Sequence, residues 1–215
     1  MAWIEHLQSV TWFQTTGSVL GAYLLGCFTT GYYLVRSRTG KDIRRFESGS
    51  TGARNVGRLL GRPGFALTVL GDFGKGALAV WGVQAWTNNH PLAALAMLAV
   101  VAGHIWPVQL SFRGGKGVAT SLGALLVLDY RMALTFAVLF LAGLAVMRKT
   151  VLPGLFAFAG LPLTALWFHQ DGLTATWVAA MSAMILVAHR RNFADEMAVW
   201  SARREVVPKP ETPKL

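Results

Sequence analysis

Apolar residues in this chain fall in long runs rather than at alternating or heptad positions, and a membrane-crossing helix needs about 20 mostly apolar residues. Seven segments carry that pattern, near 15–35, 63–86, 91–110, 117–129, 131–147, 150–168 and 172–189. The expected fold is all-α, a polytopic integral membrane protein with seven transmembrane helices. The fourth segment is the shortest, and losing it would leave six spans and move the C-terminus to the opposite face. Residues 36–62 form the only long internal loop, rich in Gly and Arg, and are expected to wrap over one mouth of the bundle. Residues 205–215, with Pro208, Pro210 and Pro213, read as a flexible tail, which leaves 1–204 as a single membrane-embedded domain. Gly17 and Gly21, four apart, predict close helix packing.

Charge sets the orientation. Arg36, Arg38, Lys41, Arg44, Arg45, Arg54, Arg58 and Arg62 lie between the first and second spans, Arg113 and Lys116 between the third and fourth, and Arg148 and Lys149 between the fifth and sixth. The tail adds Arg190, Arg191, Arg203, Arg204, Lys209 and Lys214, while the connections near 87–90 and 169–171 carry no Lys or Arg. The positive-inside rule then puts the N-terminus outside and the C-terminus in the cytoplasm. The chain is 53% hydrophobic and 14% charged, with a net charge of +10. Topology and anionic lipid headgroups account for that excess, and no nucleic acid is needed. The single cysteine, Cys27, allows neither an intrachain disulfide nor a cysteine metal site. The first 14 residues contain Glu5 and His6 and no basic stretch, so a cleaved signal peptide is not expected.

Three glycine-and-charge clusters interrupt the apolar pattern: Ser48-Gly-Ser-Thr-Gly-Ala-Arg-Asn55, Gly71-Asp-Phe-Gly-Lys-Gly76 and Gly114-Gly-Lys-Gly117. Glycine lets backbone N–H groups approach an anion, and Lys and Arg supply the countercharge. A phosphorylated small molecule is the natural ligand. Asp72 and Lys75 lie two to three turns into a helix starting near Pro63, on one face. Charges at that depth are expected to face the bundle interior and to pair with each other or with backbone carbonyls. They read either as part of a functional path or as an ion pair locking two helices. His104 precedes Trp106-Pro107 and reads either as a site residue or as a helix cap, since Pro107 leaves nearby carbonyls free. His189 and Asn192, three apart where the last span ends, suit a proton acceptor or donor with a partner that orients it or the substrate, or plain surface polarity.

Several chemistries are disfavoured. Neither glycine-lysine segment has the first glycine of a Walker A loop, since Val69 and Leu110 stand at that position. No Gly-x-Ser-x-Gly elbow surrounds Ser48 or Ser50. The five histidines show no metal-ligand spacing, so neither a catalytic metal nor another cofactor is expected.

Together these segments resemble the PlsY family, bacterial membrane glycerol-3-phosphate acyltransferases that use acyl-phosphate as donor. The resemblance covers about residues 21–193, in four ordered blocks. They are Lys41-Asp-Ile-Arg44 with Ser48 to Val56 and Arg58; Asp72-x-x-Lys-Gly76; Gly103-His104 with Phe112-x-Gly-Gly-Lys-Gly-Val-Ala-Thr120; and His189-x-x-Asn192. The resemblance implies a seven-helix protein of the bacterial inner membrane with a cytoplasm-facing site. It implies transfer of a fatty acyl group to the sn-1 hydroxyl of glycerol-3-phosphate, giving lysophosphatidic acid and phosphate, the first acylation of phospholipid synthesis. Implied catalytic residues are Ser48, His189 and Asn192. Implied substrate-binding residues are Arg58, Lys75, His104, Lys116, Gly49, Gly52, Asn55, Gly114, Gly115 and Asp72, with the glycines acting through their backbone.

The first block departs from the family pattern Gly-Ser-Gly-Asn-x-Gly-Ala-Thr-Asn, because Glu47, Ser50 and Arg54 replace Gly, Asn and Thr. Mutual compensation between Glu47 and Arg54 is one reading of these changes, and an altered acyl acceptor is another. A transporter of a small anionic metabolite would also place Lys75 and His104 inside the bundle, although the paired repeats common in transporters are not visible. A non-catalytic lipid-binding relative is a third reading.

Overall fold

The structure is a computed structural model that describes residues 10–169 and 172–194. The expected tail at 205–215, the boundary at 204, the terminal basic residues from Arg203 onward and the Glu5–His6 segment lie outside the described residues. Every described element is helical: α1 (Trp12–Cys27), α2 (Thr30–Thr39), α3 (Ala53–Thr87), α4 (His90–Ile105), α5 (Val118–Leu128), α6 (Tyr130–Met147), α7 (Val151–His169) and α8 (Gly172–Ala188). Two short 3-10 turns, Ile43–Arg45 and Val108–Leu110, lie in the connections. All seven apolar segments are therefore helical. Five of them, Trp12–Thr39, Ala53–Thr87, His90–Leu110, Tyr130–Met147 and Val151–Phe168, are long and apolar enough to cross a membrane. The other two helices, α5 and α8, are shorter, with 11 and 17 residues.

Local chemistry starts and stops these helices. Thr11 and Gln14 form a reciprocal capping box on α1, and Asn89 caps α4 through a 2.9 Å bond from the Leu92 N–H. The long α3 is interrupted at Gly61, whose φ of 71° and ψ of −166° suit glycine alone. The break falls just before Pro63, where the sequence places the start of the span.

Helix α4 forms the centre of the bundle. Its Leu92, Ala93, Ala96, Met97, Val100 and Val101 are fully buried, with α1, α3, α5 and α8 packed around it. Helix α3 crosses α5 with its backbone against that of its neighbour. A β-carbon added at Gly76 would overlap the Thr120 carbonyl, and one at Gly123 would overlap the Phe73 carbonyl. Of the two glycines expected to support close packing, Gly17 faces Trp86, but Gly21 faces open space.

The expected first span is in fact two helices broken at Phe28 and Thr29. The cause lies on α3. The Lys75 ammonium, 4% exposed, reaches the carbonyls of Gly26 at 3.0 Å and Phe28 at 2.7 Å, together with Asp72 Oδ1 at 3.1 Å and His104 Nδ1 at 2.8 Å. An ammonium has no lone pair, so His104 accepts at Nδ1. The break releases those carbonyls from the helical ladder, and the Gln109 side-chain amide donates to the Cys27 carbonyl between them at 2.6 Å. Asp72 also accepts from the Thr30 N–H at 3.3 Å, at the start of α2. The Lys75 cluster thus joins α1, α2, α3 and α4.

Replacing Lys75 with Ala leaves Asp72 and two carbonyls buried without their donor. Breaking a buried ionic contact on one side costs about 3–5 kcal/mol. The thermal midpoint of the purified protein is then expected to fall by about 10 °C. An unchanged midpoint in Lys75→Ala would show that the cluster does not hold the helices together.

Candidate active site

The four sequence blocks meet through backbone and side-chain bonds. After α4 the chain turns at Trp106-Pro107 and returns as an irregular stretch, here called the glycine strand, whose Gly114 and Gly115 N–H groups donate to the Ile105 and His104 carbonyls at 3.1 and 3.0 Å. These are the carbonyls that Pro107 was expected to leave free. On its other side the strand accepts from the first loop, with Thr51 N–H to Gly114 O at 3.3 Å. Lys116 follows, and its ammonium donates to Asn192 Oδ1 beyond α8. First loop, glycine strand and C-terminal segment are thereby held around one place, and the Lys75–His104 cluster lies beneath it.

His189 stands at the end of α8, where one residue breaks the helix before it resumes at 190–194. Its Nδ1 lies 2.8 Å from the Ile185 carbonyl, and a carbonyl only accepts, so Nδ1 carries the proton. Nε2 is left as the lone-pair nitrogen, with no hydrogen bond among the described residues. Burial, with the positive charges of Lys116 and Arg54, holds this imidazole below its ordinary pKa, against a smaller opposing effect of the Ile185 bond. A neutral, fixed imidazole with a free acceptor nitrogen is a ready general base.

The helices beginning at the two glycine loops, α3 after Gly52 and α5 after Gly117, both lack a side-chain cap. Uncapped N–H groups and the helix dipole favour an anion nearby. Sequence reasoning did not single out these helix starts. The visible signal was glycine at positions where Ser, Thr or Asp would normally cap.

The chain as a whole matches known proteins. The model of the family described as glycerol-3-phosphate acyltransferase matches residues 16–198. The chain is 45% identical over 186 residues to glycerol-3-phosphate acyltransferase 1 of Desulfitobacterium hafniense (strain Y51), covering 86% of this chain and 92% of that one. It is 35% identical to glycerol-3-phosphate acyltransferase 1 of Bacillus cereus (strain ATCC 10987 / NRS 248), covering 80% and 94%. The crystal structure of PlsY (YgiH), an integral membrane glycerol 3-phosphate acyltransferase, in its glycerol 3-phosphate form superimposes with a TM-score of 0.78. The two sequences are 30% identical, and the match covers 86% of this chain and 92% of that one. The lysophosphatidic acid form of the same protein gives 0.75 at 28% identity. The chain belongs to the glycerol-3-phosphate acyltransferase family.

The other residues that the sequence singles out have defined surroundings in the structure. The N–H groups of Gly114 and Gly115 are taken up by α4 carbonyls, that of Gly49 by the Phe46 carbonyl at 3.0 Å and that of Gly52 by Ser50 Oγ at 3.2 Å. None of these four is open to a phosphate. Gly115 instead lets the strand lie on the His104 ring, which an added β-carbon would overlap. Asp72, Lys75 and His104 are buried and bonded to one another, so they support the strand from below rather than line an open site. Asn55 braces the first loop, its amide lying 2.9 Å from the Phe46 and Ser50 carbonyls and 3.2 Å from that of Ile43. Ser48 is exposed at the tip of this loop.

The departures from the acyltransferase family pattern also find places. Glu47 does not pair with Arg54; its carboxylate lies 3.7 Å from Arg58, both side chains being about half exposed. Arg54 instead contributes its charge to the surroundings of His189. Residue 47 has a φ of 46°, a conformation natural to the family's glycine and strained for glutamate.

Because the His189 shift is downward, its neutral form persists to a pH below the ordinary imidazole range. A reaction needing Nε2 is expected to hold its plateau at neutral pH and to lose rate on the acid side. Arg54→Gln removes one neighbouring positive charge, so the acid limb of kcat/KM should move to higher pH. A limb that stays in place in Arg54→Gln takes His189 out of that titration.

Proposed function

We propose that the protein transfers a fatty acyl group from acyl-phosphate to the sn-1 hydroxyl of glycerol-3-phosphate, giving 1-acyl-glycerol-3-phosphate and inorganic phosphate. The observation that carries this reading is the meeting of Lys116, Asn192 and a neutral His189 beside the first loop, in a chain of the glycerol-3-phosphate acyltransferase family. Acyl-phosphate has a good leaving group, so positioning and charge stabilisation suffice without an acyl-enzyme. In this mechanism Arg58 and Lys116 hold phosphate oxygens, while Ser48 and Asn192 align the acceptor. His189 Nε2 takes the hydroxyl proton as the oxygen bonds to the acyl carbon. The bond from that carbon to the phosphate oxygen then breaks, and phosphate leaves.

The same reading takes the chain as crossing the bacterial inner membrane seven times, N-terminus outside, C-terminus and site cytoplasmic. The basic connections of the sequence support it, as does the placement of α5. An 11-residue helix rises only about 16 Å. The segment before it is bonded to the last turn of α4, which supports reading that segment and α5 together as one crossing.

The direct test supplies purified protein with palmitoyl-phosphate, with and without glycerol-3-phosphate, and follows phosphate and product lipid in the same samples. Acceptor-dependent phosphate together with lysophosphatidic acid is expected, and His189→Ala should lower kcat about a hundredfold or more while remaining folded. Phosphate that appears only with another polyol or phosphate ester would reassign the acceptor. No release from either mixture would remove the acyl-transfer reading.

The Glu47 carboxylate occupies Arg58, which the substrate phosphate needs. An exposed pair of this kind is worth about 0.2–1 kcal/mol. Glu47→Gln is therefore expected to lower KM for glycerol-3-phosphate about two- to fivefold, with kcat nearly constant. A raised KM would mean that Glu47 assists binding rather than competing with it.

A further inference from the structure

A cleft of about 490 Å³ opens between the end of α2, the 3-10 turn at Ile43–Arg45 and the first segment of α3. Its walls carry Arg36, Lys41 and Arg45, with Tyr32, Phe46 and Leu59 as the apolar lining. None of Ser48, Arg58, Lys116, His189 and Asn192 lines it. Positive-inside topology explains why this loop is basic. It does not explain why the cations converge on one cavity.

The charges in the cleft are not equivalent. Asp42 also lines it, but its carboxylate is matched by Arg44, with Nε to Oδ1 at 3.0 Å and Nη2 to Oδ2 at 2.7 Å. Arg44 is fixed in turn by its Nη1 bond to the Leu110 carbonyl at 2.7 Å and by lying over the Tyr32 ring. Arg36 donates to the Gly40 carbonyl and so covers the negative end of α2. Lys41 and Arg45 remain. Both are exposed, and among the described residues neither side chain makes a hydrogen bond or ion pair. Beneath them Val35, Ile43 and Val56 are fully buried in a small apolar cluster of their own, against which Tyr32, Phe46 and Leu59 of the lining are packed. The cleft lies where two apolar spans end: α2 completes the first, and the second begins after the Gly61 break with exposed Phe65, Leu67 and Leu70.

We infer that this cleft binds the phosphate-bearing headgroup of an anionic membrane phospholipid, with Lys41 and Arg45 on the phosphate and the apolar lining against the glycerol end of the chains. Each basic side chain near an anionic surface adds attraction, and an apolar lining lets a lipid compete where a free ion would not. The occupant ties the first loop to the membrane surface. The inference is independent of the acyl-transfer chemistry.

The test is native mass spectrometry of the full-length protein in detergent, offered equal amounts of phosphatidylglycerol and phosphatidylcholine with matched chains. The wild type is expected to retain phosphatidylglycerol about tenfold better. Lys41→Gln with Arg45→Gln should abolish the preference, and the charge-matched pair Arg62→Gln with Arg148→Gln should keep it within about twofold. Millimolar inorganic phosphate should leave the bound lipid in place; displacement by phosphate would make the cleft a free-anion site and overturn the lipid assignment. Undiminished preference in the Lys41 and Arg45 variant, or equal loss in both variants, would overturn the proposal outright.

Discussion

A lysine ammonium inside a bundle of apolar helices needs partners, and here the rest of the structure is arranged around meeting that need. The partners of Lys75 come from a helix break, an aspartate one turn away on the same face and a histidine on the central helix. Without the break at Phe28 the Gly26 and Phe28 carbonyls would be held in a continuous ladder. Without the ammonium those carbonyls would be buried and unmet. Break and charge each make the other tolerable, so the first and third helices are fixed in register by hydrogen bonds as well as by packing.

This register passes to the site through His104. Its ring accepts from Lys75, its own carbonyl accepts from Gly115, and the glycine strand lies on its face because no side chain intervenes. Lys116 is the next residue. The polar core therefore sets the position of Lys116, the side chain proposed to hold a phosphate, through a few rigid steps.

Much of this was legible in the sequence. Seven apolar runs became helices, the Gly61-Pro63 region became a helix boundary, and the four polar blocks met as their shared placement at one end of the spans implied. The hidden features are those for which sequence reports composition but not partners. A hydropathy window cannot see the Phe28 break, because the cause is a lysine far along the chain. Gly-Gly-Lys looks the same whether its N–H groups face a phosphate or a helix carbonyl, so the bonds of Gly114 and Gly115 to Ile105 and His104 are not visible in the sequence. Glu47 and Arg54 are opposite in charge and close in sequence, yet the loop turns Glu47 toward Arg58. Gly21 matched a packing pattern by spacing alone.

Helix α3 carries two unlike faces. Thr68, Asp72, Lys75, Gly76 and Ala79 are locked inside, whereas Leu67, Leu70, Leu78 and Trp81 project outward. The outward set touches neither the polar core nor the site. Substitutions in this belt would therefore change how the protein sits in bilayers of different thickness without breaking a bond of the inner face.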